Sequence, residues 1–409
     1  MVTTLFEKLI TPPRRLPARA LLRITSGALV LGGCAPPVTP PSPRAPVPDL
    51  VAARVTDSLR AVLQRAVADS AFPGAYAAVG THDGLIADLG IGRLDAADPT
   101  VPSATTIWDL ASLTKVVGTT SAMVTLVGAE RVVLDSPVVH YLPEWRAPGV
   151  RPITVRHLLS HNAGLPAWRA LYKEADTREE ALGQLFLTGP DTVPGVRHVY
   201  SDLGFILLGQ LVERVSGQRL DAYDQSRVFA PLGMRETGYL PAAAKRARIA
   251  PTEVDPWRRR HIRGEVHDEN AARLGGISGH AGLFSTGRDL TRFARMYLGW
   301  GALEGARVFD SATVAAFIRV QDTTVSRRAL GWETPTGGNS AGRRLSPVAF
   351  GHTGFTGTSL WMDPARGVFV LLLTNRVNPT RENRKIGSVR MALADAVVGA
   401  LSGDGASPR

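Results

Sequence analysis

Trp108-Asp109-Leu110-Ala111-Ser112-Leu113-Thr114-Lys115 holds one of only five lysines in the 409-residue chain. Ser112 is the only Ser placed three residues ahead of a Lys. The apolar residues that follow, Val116, Val117, Met123, Val124, Leu126 and Val127, predict a buried helix. Ser112 is then expected at the helix N-terminus, with Lys115 one turn on and on the same face. At that end the dipole and free N–H groups favour negative charge on a hydroxyl oxygen. A lysine held out of water has a lowered pKa and can take the Ser proton. On spacing alone, an N-capping Ser beside a solvated Lys is the commoner reading.

Two further segments change that balance. Tyr200-Ser201-Asp202 precedes the apolar, helix-like run 203–212. A Tyr hydroxyl near a Ser–Lys pair can pass a proton to a leaving group. Phe350-Gly351-His352-Thr353-Gly354-Phe355-Thr356-Gly357 places glycines in a strand-like stretch, which lets a ligand approach the backbone. There His352 and Thr353 offer polar contacts, and the Phe355 N–H can face an oxyanion.

Ser-x-x-Lys, Tyr-x-Asp and His-Thr-Gly, in this order, resemble the serine β-lactamase and penicillin-binding protein superfamily. The likeness is greatest to its class C-like branch of β-lactamase-related serine hydrolases and D,D-peptidases. The phrases at 153–166, 200–209 and 279–285 add to it, and the resemblance spans roughly residues 50–400. It implies that Ser112 forms an acyl-enzyme and that Lys115, working with Tyr200, is the base. It also implies an oxyanion hole from the Ser112 and Phe355 N–H groups, beside Gly354, with no metal or other cofactor. The substrate class it implies is a small molecule or a peptidoglycan-derived amide or ester. The alternatives are a true β-lactamase and a non-catalytic wall-binding protein on the same fold.

Two positions depart from the β-lactamase pattern. Asp202 stands where many relatives carry Asn, and His352 stands where β-lactamases carry Lys. Both make the pocket less cationic, since His is mostly neutral above a pKa of about 6.5. Asp202 is also placed to pair with Lys115 and hold it charged. Arg376, Asn378 and Arg381 could restore carboxylate binding or form a solvated basic face. His157 and His161 have i, i+4 spacing but lack the Glu and third ligand of a zinc motif, so a core or capping role is favoured. His267, Asp268, Glu269 and His280 match no metal spacing, and 265–285 reads as a wall near the site. The basic run 257–261 reads as a solvated loop.

Outward from these motifs, both ends of the chain carry the same elements. Residues 49–68 have helical apolar spacing, with Asp49 as N-cap. Strands at 75–80 and 85–91 flank an Asp-Gly turn. Strands at 358–362 and 368–374 flank a second turn, and 384–401 is helical in pattern. The expectation is a mixed α/β (α+β) fold of the β-lactamase/transpeptidase kind. One antiparallel sheet is flanked by the N- and C-terminal helices (about 49–111 and 275–402), with an inserted all-α lobe (about 112–274).

Composition bounds the rest. With 44% hydrophobic and 20% charged residues, the chain is globular. The net charge of +11 comes almost wholly from scattered Arg, unlike a phosphate-binding stripe, so no nucleic-acid partner is expected. Five basic residues precede a short apolar run ending Leu31-Gly32-Gly33-Cys34, which resembles a signal peptide (1–33) closed by a lipobox. Cys34, the one cysteine, is then a lipid anchor. Seven prolines within 35–48 make 34–48 a semi-rigid tether. The expected location is the bacterial cell envelope, with the globular domain exported and lipid-anchored.

Overall fold

Alternation along one buried strand explains the layering. In the strand Val368–Thr374 every residue is buried. Successive side chains of a strand point to opposite faces. Phe369, Leu371 and Leu373 enter the main core, while Val370 and Leu372 enter a second one. The strand is therefore covered on both sides, which a continuous apolar run requires. The computed structural model describes residues 47–403. The proposed signal segment and most of the Pro-rich tether, Cys34 included, lie outside the described residues.

The second core is closed by the terminal helices. Helix Asp49–Ala68 buries Val55, Leu59, Leu63 and Ala66, one stripe at helical spacing. It packs against helix Ile386–Ser402 and the strands beneath. Its N-cap is Pro48, with Asp49 inside the first turn, so the expected Asp49 cap is displaced by one residue. Pro suits the helix start because it has no N–H to satisfy there.

The main sheet has five strands. Phe350–Thr353, Ser359–Asp363, Val368–Thr374, Gly74–Thr81 and Leu85–Gly92 lie side by side in that order, every pairing antiparallel. Ala78 sits opposite Leu371, so strands from the two ends of the sequence share one register. This is the mixed helix-and-antiparallel-sheet fold the sequence led us to expect.

The other face of the sheet carries helix Gly287–Leu298 and the helical middle of the chain. The strand Ile107–Asp109 pairs with Leu283–Thr286, both within the expected α/β lobe. Leu283–Thr286 also pairs with the two-residue strand Gly238–Tyr239, so the middle (about 112–274) is mostly helical but not all-α as expected. A second two-residue pair joins 254–255 to 260–261. Elements this short leave no period to read. Among the described residues no helix is long and apolar enough to cross a membrane.

Candidate active site

The segment carrying Ser112 is strained and clamped. After strand Ile107–Asp109 the chain turns through a 3-10 helix, Ala111–Leu113, into a π-helix, Lys115–Thr120, and then an α-helix, Ser121–Gly128. The expected α-helix starting at Ser112 is thus replaced by a tighter and then a wider turn. Val116, Val117, Thr119 and Thr120 are β-branched and Gly118 is a weak helix former, so α geometry is not enforced there. Ala111 has φ +46°, a left-handed conformation costly to a residue with a Cβ. The buried carboxylate of Asp109 holds it, accepting the Ala111 N–H at 2.8 Å and the His267 N–H at 2.6 Å. Burial pushes the Asp109 pKa up more than these two bonds lower it. Sequence reasoning missed Asp109, although it stands three residues before Ser112.

Lys115 is fully buried and reaches three partners. Its Nζ donates to Ser112 Oγ at 3.0 Å and to the His280 carbonyl at 3.1 Å, and pairs with Asp202 Oδ1 at 2.7 Å. Burial alone would lower its pKa, but the Asp202 charge and then Tyr200 overcome this and raise it. The lowered lysine pKa expected from desolvation is therefore corrected, because the carboxylate supplies the charge that water no longer does. The pairing of Asp202 with Lys115 itself is as anticipated.

Tyr200 is held from the chain segment 161–167. The Ser201 N–H donates to His161 Nδ1 at 3.0 Å, Ser201 Oγ to the Pro166 carbonyl at 2.6 Å, and the Asp202 N–H to the Ala167 carbonyl at 2.9 Å. Ser201 then caps helix Asp202–Ser216. Lys115 Nζ lies 4.9 Å from the centre of the Tyr200 ring. Burial pushes the phenol pKa up, opposed by the Lys115 charge and by hydrogen bonding to Lys115 and Ser112. His161 and His157 serve as cap and support, as favoured over metal. His157 closes a capping box with Thr154 at the start of helix Val155–Leu159.

The strand Phe350–Thr353 and its turn close over Ser112. Thr356 Oγ1 donates to the Asp109 carbonyl at 2.8 Å and Thr358 Oγ1 to the Leu110 carbonyl at 3.0 Å. A Cβ on Gly354 would lie 2.3 Å from the Leu110 carbonyl oxygen, so only Gly permits this approach. The stitching brings the turn that holds the Phe355 N–H against the residues just before Ser112. His352 is buried, 5.9 Å from Tyr200 between ring centres, and its Nδ1 bonds the Thr353 carbonyl at 2.8 Å. Burial, then the Arg328 and Lys115 charges, push its pKa well down, so it is neutral. Thr353 ends the strand, half-buried.

Residues 265–285 form a wall of the site, as expected. His280 Nε2 bonds Asp268 Oδ1 at 2.9 Å while its carbonyl takes Lys115. Burial would raise the Asp268 pKa, but His280 pulls it down. Asp202, Asp268 and His280 come together closely, yet Lys115 already supplies the cation beside Asp202. Phe355, half exposed, stacks on His267. Arg376 and Arg381 are not free to bind a carboxylate. Arg376 donates to the Phe355, Arg381 and Asn383 carbonyls, and Arg381 pairs with Glu253 and Glu269. Asn378 donates to the Pro251 carbonyl. Within the run 257–261, Arg258 is not solvated: it binds Asp255 and the Val266 and His267 carbonyls.

A hydroxyl touching a buried ammonium, with a phenol beside that ammonium and a glycine-lined turn stitched to the residues just before the hydroxyl, has the parts of a nucleophile that attacks a carbonyl. Known proteins agree. A family model described as Beta-lactamase matches residues 59–394. A Salmonella agona protein named "Putative D-alanyl-D-alanine carboxypeptidase" is 31% identical over 331 residues, covering 71% of this chain and 74% of its own. An N-acetylmuramyl-L-alanine amidase of Bacillus subtilis is 32% identical over 361 residues, covering 78% and 81%. Among solved structures, EstCE1, a hydrolase with promiscuous acyltransferase activity, superposes with a TM-score of 0.70 at 22% identity, over 85% of this chain and 99% of that one. That structural likeness bears on the fold, and the sequence matches carry the family. On the joint weight of motif order, geometry and these matches, the chain belongs to the Beta-lactamase family and is a serine hydrolase.

Proposed function

We propose that the protein cleaves a D-amino-acid peptide, in the manner of a D,D-carboxypeptidase, or a carboxylic ester, through an acyl-enzyme on Ser112. The observation that carries this reading is the contact of Lys115 Nζ with Ser112 Oγ at 3.0 Å inside a buried ion pair with Asp202. Because Lys115 is charged at rest, it stabilises negative charge on Oγ and does not take the proton itself. Tyr200 then relays protons. Its oxygen accepts the Ser112 proton as Oγ attacks the carbonyl carbon, and its own proton passes to the leaving nitrogen or oxygen. The Ser112 and Phe355 N–H groups hold the oxyanion. Water retraces the route and releases the acid. The neutral His352 favours this reading over a true β-lactamase, which has a lysine at that position to meet the drug's carboxylate.

We further propose export to the cell envelope and lipidation at Cys34, on the signal-like residues ahead of it. Radiolabelled palmitate should enter the full chain and be lost in Cys34→Ala.

A fluorophosphonate probe should label the wild type and leave Ser112→Ala unlabelled, with peptide and ester turnover lost alongside. Equal labelling of the two would assign the nucleophile elsewhere.

A further inference from the structure

Two guanidinium groups hold the turn after strand Phe350–Thr353, and among the described residues neither has an ion-pair partner. Arg390 stands on helix Ile386–Ser402. A single nitrogen, Nη2, donates to the Gly354 carbonyl at 2.6 Å and to the Thr358 carbonyl at 2.7 Å. Its Nε is sealed from solvent without a partner. Burial, then the Arg376 charge, pull the Arg390 pKa down to about 10, and Glu333 opposes them. A cation taken out of water with no carboxylate beside it is costly. A neutral donor would close the same two carbonyls at less cost, so the charge itself calls for an explanation.

That explanation lies at the other end of the peptide group. The Gly354 carbonyl and the Phe355 N–H belong to one planar unit. The unit is trans, since Asn378–Pro379 is the one cis bond among the described residues. In a trans unit the two groups point in opposite directions, so a cation fixed on the oxygen aims the N–H away from the guanidinium. The Gly357 N–H meets the same oxygen at 3.0 Å and pins the plane a second time. Among the described residues no acceptor meets the Phe355 N–H itself. A donor on the carbonyl strengthens the bond that the N–H makes, because hydrogen bonds in series polarise one another. A charged donor does so more than a neutral one. Arg376 differs: its Nε donates to the Phe355 carbonyl at 2.8 Å, which shares its peptide group with the Thr356 N–H.

We propose that Arg390 is a positioning residue for the acyl transfer: its charge on the Gly354 carbonyl aims the Phe355 N–H and makes it a stronger donor to the oxyanion. The inference rests on the acyl-enzyme reading above, in which that N–H meets the oxyanion.

The wild type, Arg390→Gln, Arg390→Lys and Arg376→Gln are mixed rapidly with p-nitrophenyl acetate labelled isotopically at its carbonyl carbon. The burst of p-nitrophenol gives the acylation rate constant and the dissociation constant of the ester. Infrared difference spectra give the carbonyl stretch of the acyl-enzyme, which stronger donors lower. Arg390→Gln should raise that frequency and slow acylation by about tenfold or more, short of the roughly 10²–10³ lost with a whole oxyanion donor. The dissociation constant should be kept. Arg390→Lys should fall between the wild type and Arg390→Gln, since one ammonium can span the two carbonyls that Nη2 meets. Arg376→Gln should leave the band in place. An unmoved band in folded Arg390→Gln, equal effects of Lys and Gln, or an equal shift in Arg376→Gln overturns the proposal, because each reduces Arg390 to a brace for the fold. Failure of both Arg390 variants to fold overturns it for the same reason. If the wild type gives neither a burst nor a fluorophosphonate adduct, the hydrolase reading has failed and the proposal falls with it. A wild-type acyl band that Arg390→Gln does not move fails the proposal alone.

Discussion

Asp202 is the residue on which the electrostatics of the site turn. It holds Lys115 protonated, and a lysine whose folded pKa lies above its ordinary value adds stability below about 10.4, lost as pH rises through the folded value. In Asp202→Asn the foremost charge opposing burial is gone, and burial, met only by Tyr200, pushes the Lys115 pKa down. The variant should be less stable by about 3 kcal/mol at neutral pH. That deficit should shrink as pH rises towards 10, where the variant carries a neutral amine. Denaturant titrations across this range check it, and a deficit independent of pH would count against the ion-pair account. Ser112, Lys115, Tyr200, Asp202 and His352 were legible in the sequence because their types and order are chemically distinctive. Asp109 was not, since its carboxylate works on the backbone N–H groups at 111 and 267, which no motif names.

At the scale of the element, the π-helix Lys115–Thr120 depends on Gly118. A Cβ there would lie 2.8 Å from Asp224 Oδ2 and 2.9 Å from Tyr239 Oη, on a buried and a half-buried side chain that bond each other. Gly118→Ala should cost about 1–3 kcal/mol by overpacking. It should also slow fluorophosphonate labelling of Ser112, because the turn that sets Lys115 is displaced. Loss of stability with an unchanged labelling rate would separate the helix from the site. Legibility follows length and period here. Helix Asp49–Ala68 was readable to the residue, since its buried stripe, Val55 to Ala66, repeats for about three turns, while only its cap moved by one. The π-turn was hidden because π and α-helices differ in hydrogen-bond span and not in composition.

Across the whole molecule, charge and topology tie the end of the chain to its middle. Glu253 accepts from His267 and Arg381, and Arg381 also pairs with Glu269. Burial works against the Glu253 carboxylate, but these hydrogen bonds overcome it and hold its pKa at about 2. A depressed carboxylate adds stability above its ordinary value of about 4.3, lost as pH falls through the folded value. Arg381→Gln should therefore unfold at a higher pH in an acid titration followed by circular dichroism. Identical acid midpoints would remove this network from the account. That both ends of the sequence would build one sheet was legible, because each presents a hairpin and a helix. Which loops that sheet would press together was not, since such contacts lie hundreds of residues apart. The threonine bonds from 356 and 358 to the backbone at 109 and 110 are the clearest case. Their consequence is temporal: on the proposed mechanism a ribosome-bound or half-refolded polypeptide cannot cleave anything, because the turn at 354–357 is not seated against residues 109 and 110 until the final strands arrive. In stopped-flow refolding, the return of probe labelling should track the slowest structural phase and never lead it.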